Sequence, residues 1–130
     1  MLANIGYEKG VHKGLGWIKG SVKKIKTNNT GIKIPHMGWN ELKINETTPF
    51  ISLLKKKICF EENKSVSAYF VHSYNFNIEN NNQRTISAFY GEEITAMISS
   101  KNILGTQFHP EKSHLFGLKF LETFIECEEF

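Results

Sequence analysis

The sequence predicts an α/β or α+β fold, with strands first and one amphipathic helix at the end of the chain. Short apolar runs of strand length, bounded by Gly, Pro and Asn, recur through most of the sequence. The final stretch, "SHLFGLKFLETFIECEEF", has apolar side chains at helical spacing instead. No internal repeat is present, and a length of 130 residues indicates one domain.

The composition is that of a globular protein and argues against several functions. Hydrophobic residues make up 40% and charged residues 22%, and no apolar run approaches the ~18 residues of a membrane-spanning helix. The net charge of +3 is scattered, so the lysines at 55–57 are expected at a solvated helix end rather than in a nucleic-acid-binding patch. Cys59 and Cys127 lie far apart without a C-x-x-C motif, which favours a reducing, cytoplasmic setting.

The first part of the chain predicts strands joined by tight turns. Residues 1–3 have no helix-capping residue before them and are expected inside a helix that began earlier. Residues 14–26 predict a pair of strands bent at Gly20, and "TNNTG" at 27–31 predicts a turn. In "IKIPHMGWN" we expect a strand that Pro35 breaks, followed by a loop rich in His, Met and Trp.

The middle of the chain predicts a helix, a buried strand and a hairpin. Thr48 and Pro49 suit the N-cap and first helical position of "TTPFISLLKKK". The apolar run at 66–74 predicts a strand buried on both faces, and the Asn-rich residues 75–84 predict a surface loop. "TISAFYG" and "EITAMISS" predict a hairpin around Gly91.

The last part of the chain predicts one more strand, over residues 102–110, and the terminal helix. Leu118, Leu121 and Ile125 are spaced to form the apolar face of that helix, with acidic residues pointing outward. Its aromatic residues are expected in the core and at its rim: Phe116, Phe120 and Phe124.

A histidine and a glutamate flank the proline of "GTQFHPEKS". In extended chain, residues two apart point the same way, so His109 and Glu111 project from one side. A hydrogen bond donated by Nδ1 of His109 to the Glu111 carboxylate would leave Nε2 free as a base. This arrangement predicts the base and its orienting group in a nucleophile–base–orienter triad, although a solvent-exposed histidine at a strand end is the alternative.

A metal site is a weaker hypothesis for the same segment. His109, Glu111 and His114 are close in sequence, but Pro110 and the start of a helix lie between them. No second cluster completes a set of four ligands.

Three motifs in a fixed order resemble those of class I glutamine amidotransferases. They are "PHMGWN" at 35–40, "YFVHSY" at 69–74 and "GTQFHPEKS" at 105–113, followed by the amphipathic helix. Within that family, the sequence is most similar to the glutaminase subunits of imidazole glycerol phosphate synthase. The resemblance implies an α/β, flavodoxin-like fold with a mixed sheet and a C-terminal helix. It also implies that residues 1–130 are the C-terminal portion of a single amidotransferase domain, truncated at the N-terminus.

The resemblance implies roles for nine residues. His109 corresponds to the general base and Glu111 to its orienter. The glutamine pocket corresponds to His72, Ser73 and Tyr74, which act mostly through their backbone. The family's surface for a partner (β/α)₈ synthase subunit corresponds to Trp39, Asn40, Tyr69 and Lys112, although ordinary packing also explains Trp39 and a surface position explains Lys112. The resemblance implies glutamine as substrate, no cofactor, no nucleic acid and no membrane.

The family's nucleophile, a cysteine in a G-x-C-x-G turn, has no counterpart in this sequence. Neither Cys59 nor Cys127 has flanking glycines, so both are expected to be structural or incidental. We therefore expect the chain to be inactive alone and, without the family's central strands, marginally stable. The alternatives are a paralogue that supplies ammonia for sugar amidation in glycan synthesis, a non-catalytic partner-binding protein, and one half of a split enzyme.

Overall fold

Two sheets and two α-helices form the described part of the chain. The structure is a computed structural model that describes residues 1–27, 31–59 and 65–130, so the predicted turn at 27–31 lies mostly outside the described residues. In chain order the strands are β1 (Ile5–Gly6), β2 (His12–Lys13), β3 (Gly20–Lys24), β4 (His36–Ile44), β5 (Val66–His72), β6 (Tyr74–Ile78), β7 (Arg84–Tyr90), β8 (Glu92–Ser100) and β9 (Ile103–Thr106). The helices are α1 (Pro49–Lys57) and α2 (His114–Glu126), with short 3-10 turns at Asn81–Gln83 and Pro110–Lys112.

The larger sheet is antiparallel and has the strand order β5-β4-β7-β8-β9. Its β7–β8 hairpin turns at Gly91, whose φ of 71° lies in the left-handed region that glycine adopts easily. The hairpin predicted around Gly91 is therefore confirmed. The side chains of β5 alternate between buried and partly exposed, because only one face of this strand packs on the core. The prediction of a strand buried on both faces was wrong.

The smaller sheet is mixed and has the order β2-β1-β3-β6, in which β1 and β3 run parallel. Asn75, in strand β6 of the smaller sheet, connects that strand to β8 of the larger sheet. The buried Asn75 side chain donates from Nδ2 to the Glu93 carbonyl at 2.9 Å and accepts the Thr95 N–H at 3.0 Å. These two hydrogen bonds imitate one step of strand pairing and hold the sheets together.

Helix α1 begins as its sequence predicts. Thr48 has an extended backbone, its hydroxyl accepts the N–H of Ile51 at 3.2 Å, and Pro49 occupies the first turn. The basic residues at 55–57 end the helix, and Lys57 forms an ion pair of 2.8 Å with Glu126 of α2. No helix in the described ranges is long and apolar enough to cross a membrane.

The main core lies between the larger sheet and the two helices. Phe50 of α1 and Phe120 of α2 are both buried, and their rings meet edge to face with 5.0 Å between centroids. Phe108 belongs to the same cluster, and its ring centroid lies 5.3 Å from that of Phe120. Phe70 of β5 and the other buried side chains of the sheet pack in the same cluster. This packing fixes the position of the segment that follows β9.

The apolar stripe predicted for α2 is exposed, so that prediction was wrong. Leu118 is 54% and Ile125 83% exposed, while the helix buries Gly117, Phe120 and Thr123 against the core. Of its other aromatic residues, Phe116 is half-buried against the core and Phe124 is exposed. Helical spacing identifies residues that share a face, but α2 has apolar side chains on more than one face.

Three further predictions for the first half of the chain were wrong. Residues 1–3 are not helical, because the carbonyls of residues 1–4 accept N–H groups from residues 14–18 and cannot form helical hydrogen bonds. Only Gly20–Lys24 of the predicted strand pair is a strand. The expected loop after Pro35 is the long strand β4, because a proline restrains itself and the residue before it but not those that follow.

Two boundaries in the second half also differ from prediction. The expected loop over 75–84 contains most of strand β6 and a 3-10 turn. The strand predicted over 102–110 ends at Thr106. Pairing determines where each strand lies: β6 pairs with the distant strand β3, and β9 pairs with the preceding strand β8 only as far as Thr106.

Candidate active site

His109 and Glu111 form a hydrogen-bonded pair at the beginning of the Pro110–Lys112 turn. Nδ1 of His109 lies 2.9 Å from Oε1 of Glu111. The pKa of Glu111 is lowered, mainly because its carboxylate accepts a hydrogen bond from its own backbone N–H, and also because it bonds to His109. An ionised carboxylate only accepts hydrogen bonds, so Nδ1 of neutral His109 carries the proton and Nε2 keeps a lone pair.

The backbone of His109 is clamped against the outer edge of β5. Its N–H donates to the carbonyl of Tyr69 at 2.9 Å. The N–H of Tyr69 donates to Oγ of Ser113 at 3.0 Å, and the Ser113 hydroxyl donates to the carbonyl of His109 at 2.7 Å. These three hydrogen bonds close a ring, and Ser113 is fully buried within it. The edge groups of β5 at Tyr69 are thus satisfied by the segment that carries His109.

A glycine of α2 allows the helix to pack tightly over the same turn. A Cβ placed on Gly117 would lie 1.8 Å from the carbonyl oxygen of Pro110. The Gly117 N–H donates to the carbonyl of Ser113 at 3.0 Å, so this approach continues the clamp into the helix. Any larger side chain at this position would push the turn away from the core.

The residues at 72–74 connect the two sheets. His72 ends β5, Tyr74 begins β6, and the carbonyl of Ser73 between them accepts the N–H of Ile25 at 3.0 Å. Nδ1 of His72 lies 2.9 Å from the Tyr74 carbonyl, which can only accept, so Nδ1 is the donor. Burial lowers the pKa of His72; the Tyr74 carbonyl opposes this effect, and the charge of a protonated His109 adds to it.

Three aromatic side chains form an exposed patch on the outer face of β4 and β5. Trp39 and Tyr69 are cross-strand partners, and their rings meet edge to face at 5.9 Å. The imidazole of His114 stacks on Trp39 at 4.9 Å with an interplanar angle of 16°. Trp39 remains 48% exposed. We call Trp39, Tyr69 and His114 the aromatic patch.

The other two residues expected at a partner surface have different surroundings. Asn40 points to the opposite face of β4 from Trp39, where its Nδ2 donates to Nε2 of His36 at 3.1 Å and to the Phe89 carbonyl at 2.9 Å. Lys112 is exposed at the end of the turn after His109. The structure therefore brings Trp39 and Tyr69 together and directs the Asn40 side chain inward.

Comparison with known families identifies the chain. The family model described as glutamine amidotransferase class-I matches residues 14–127. The chain belongs to the class I glutamine amidotransferase family. The resemblance seen in its three motifs is confirmed, and so is the α/β fold of this family, with a mixed sheet and a C-terminal helix.

Curated relatives place this amidotransferase chain close to one kind of subunit. The proteins from Azospirillum brasilense and Pelagibacter ubique are each 43% identical, over 125 and 126 residues, and the protein from Zymomonas mobilis is 42% identical over 126 residues. All three are named imidazole glycerol phosphate synthase subunit HisH. The alignments cover 96%, 96% and 97% of this chain but only 61%, 56% and 54% of the relatives. The chain thus spans little more than half the length of the relatives it matches.

Neither cysteine of this amidotransferase chain lies beside His109. Cys127 follows the 13 residues of α2, which places it about 20 Å further along the helix axis, and its Sγ bonds the Glu129 carbonyl at 2.8 Å. Cys59 is exposed just after α1 and lines a cleft with Val66, at the end of β5 away from His72. In the part of the chain that is described, no three His, Cys, Asp or Glu side chains are grouped to hold a metal ion.

The structure also reveals residues of the site that the sequence did not indicate. His36 and Ser113 are both buried and hydrogen-bonded to predicted site residues. His114 completes the aromatic patch. Ser113 precedes α2, where a serine predicts a helix cap, yet its hydroxyl bonds Tyr69 and His109 instead. His36 is part of the "PHMGWN" motif, but this segment was expected to be a loop, so the strand face that His36 shares with Asn40 was not recognised.

Proposed function

We propose that this chain carries the general base of a glutaminase that supplies ammonia to a partner synthase for imidazole glycerol phosphate formation, in the cytoplasm. The observation that carries the proposal is the 2.9 Å contact between His109 Nδ1 and Glu111 in a chain of this family. The clamp on β5 holds that pair in place. The names of the relatives favour the histidine pathway over sugar amidation.

In the proposed reaction, Nε2 of His109 moves one proton. It takes the proton from a cysteine thiol, and the resulting thiolate attacks the carbonyl carbon of the glutamine side-chain amide. Nε2 then gives the proton to the amide nitrogen, which leaves as ammonia when the C–N bond breaks. Water hydrolyses the thioester, which releases glutamate and restores the thiol. Glu111 stabilises the charged imidazole and fixes its orientation throughout.

The nucleophile in this proposal comes from outside these 130 residues. Cys127 lies too far along α2, and neither Cys127 nor Cys59 has the glycine-flanked turn that exposes and activates a thiolate. The chain alone is therefore expected not to hydrolyse glutamine. The pocket for glutamine would use the backbone of residues 72–74.

For the partner, we propose a heterodimer with a (β/α)₈ barrel subunit that docks on the aromatic patch. Its exposed tryptophan and partly exposed tyrosine are of the residue types enriched at interfaces, and Lys112 adds a charge beside the same turn. Asn40 would support this surface indirectly, from the opposite face of β4, because its side chain donates a hydrogen bond to the Phe89 carbonyl of β7.

A chimera tests the chemistry. This chain would replace the aligned 125 residues of the Azospirillum brasilense relative, and glutamate release would be measured with that relative's synthase partner present. His109→Ala is expected to reduce the rate at least ~100-fold, the usual minimum contribution of general acid–base catalysis. The matched control is His12→Ala, at an exposed histidine of β2, which is expected to keep the parent rate. An active His109→Ala chimera would refute the proposed role.

The same chimera tests the partner surface. Trp39→Ala is expected to weaken co-purification with the barrel subunit, because truncating a central interface tryptophan commonly costs at least about 2 kcal/mol. Trp17→Ala is the control, since Trp17 is 61% exposed and lies in the N-terminal segment. Equal binding by the two variants would exclude docking on the aromatic patch.

A further inference from the structure

His36 lies at the centre of a chain of hydrogen bonds between β4 and β5. It is 2% exposed, and its Nδ1 lies 2.8 Å from Nε2 of His72. Its Nε2 lies 3.1 Å from Nδ2 of Asn40. The ring is stacked against Phe70 at 4.7 Å and Tyr90 at 4.1 Å, and these two contacts fix the plane of the imidazole.

The two carbonyl groups at the ends of this series of hydrogen bonds determine the position of every proton within the series. The Tyr74 carbonyl can only accept, so His72 Nδ1 donates and neutral His72 must accept at Nε2. His36 Nδ1 is therefore the donor to His72, and His36 Nε2 accepts from Asn40. The Phe89 carbonyl at the other end also requires the Asn40 amide nitrogen in that position. Two neutral histidines with protons on Nδ1 satisfy all four bonds.

We propose that His36 is a positioning residue for the glutamine site. Through Nδ1 it holds His72 in one tautomer and one orientation, and so fixes the strand-to-strand connection at 72–74. Through Nε2 it ties that connection to Asn40, which lies beneath the aromatic patch. The importance of this link for catalysis rests on the proposed function, but the link itself does not.

Two substitutions divide the chain of bonds at its centre. In His36→Asn the side-chain amide replaces Nδ1, so the donor to His72 is kept and the link to Asn40 is lost. In His36→Gln the amide reaches the position of Nε2, so the acceptor for Asn40 is kept and the donor to His72 is lost. If the imidazole only fills space, His36→Asn and His36→Gln should change the ring shifts of His72 to a similar extent. His12→Asn and His12→Gln on exposed β2 are the matched controls.

The test is the ¹⁵N NMR spectrum of the histidine side chains in the 130-residue protein at pH 7. His36 and His72 are expected to be neutral with the proton on Nδ1, the less common tautomer of free histidine. His36→Asn should leave the ring shifts of His72 unchanged, while His36→Gln should move them. Asn40→Ala should move the His72 ring shifts in the parent protein but not in His36→Asn.

Each result decides the matter. A proton on Nε2 of His72, or a charged His72, would overturn the proposal, and so would equal shifts of the His72 ring in His36→Asn and His36→Gln. If both variants unfold, the tautomers of the parent protein and the effect of Asn40→Ala still decide it. An inactive chimera with the expected tautomers would remove the proposed function and leave this hydrogen-bonded link standing.

Discussion

The buried His36 makes the stability of the protein depend on pH in a defined window. Burial, followed by the charge of a protonated His72, lowers the pKa of His36 from 6.5 to about 4. Between these values the unfolded chain binds a proton at this residue and the folded chain does not. Stability is therefore expected to fall as pH falls from 6.5 to 4, and to be independent of this group above and below that window.

The size of the effect follows from the two pKa values. Linkage gives a loss of about 2 kcal/mol between pH 7 and pH 4.5 from His36 alone. His72 acts in the same direction, because its pKa is also lowered by burial. Glu111 and Glu122 have lowered pKa values too, and their contribution is lost at more acidic pH, as the folded carboxylates take up protons.

Urea unfolding of the parent protein and of His36→Asn at pH 7, 5.5 and 4.5 isolates the contribution of His36. The variant keeps the donor to His72 but has no group that titrates at this position. Between pH 7 and pH 4.5, the unfolding free energy of the variant should fall by about 2 kcal/mol less than that of the parent. Parallel curves for the two proteins would show that His36 titrates normally when folded, and would refute both its burial and its place in the hydrogen-bonded chain.

Two further substitutions test the clamp on His109. Ser113→Ala removes the partner of the Tyr69 N–H and one of the two hydrogen bonds that the His109 carbonyl accepts, the other being from the Lys112 N–H. It should cost about 1–3 kcal/mol of stability, whereas the exposed Ser52→Ala should have little effect in the same thermal unfolding experiment. Gly117→Ala should cost a further about 1–3 kcal/mol through overpacking, instead of the ~1 kcal/mol gain that alanine brings to an open helix position, and a higher melting temperature would contradict the close packing of α2.

Local rules predicted the parts of the site whose geometry is set by a few adjacent residues. His109 and Glu111 were expected side by side because they are two residues apart, and they do lie together, although Glu111 belongs to the 3-10 turn and not to extended chain. Thr48 with Pro49, and Gly91 between two apolar runs, likewise fix the start of α1 and the β7–β8 turn. In each case the atoms that interact belong to residues no more than a few positions apart.

Long-range partners explain what could not be predicted. Asn75 lies in an Asn-rich segment typical of a surface loop, but Glu93 and Thr95, some twenty residues further on, make it a buried link between the sheets. His36 follows a proline and was expected in a loop, but its partner His72 is 36 residues away. Burial and tautomer follow from such contacts, and no local pattern of residues contains them.

The edge position of β5 explains why His109, the proposed base, and the aromatic patch are structurally linked. An edge strand has free backbone groups, and at Tyr69 both are taken by the segment that carries His109. The side chain of the same residue packs on Trp39 of β4 in the aromatic patch. A partner that moved Tyr69 would therefore move the backbone to which His109 is bonded, with no intervening residue. The inner face of the same strand pair carries a second connection, from Asn40 through His36 to His72. Both links, from the proposed partner surface to His109 and to the proposed glutamine pocket, therefore depend on how β4 and β5 are paired.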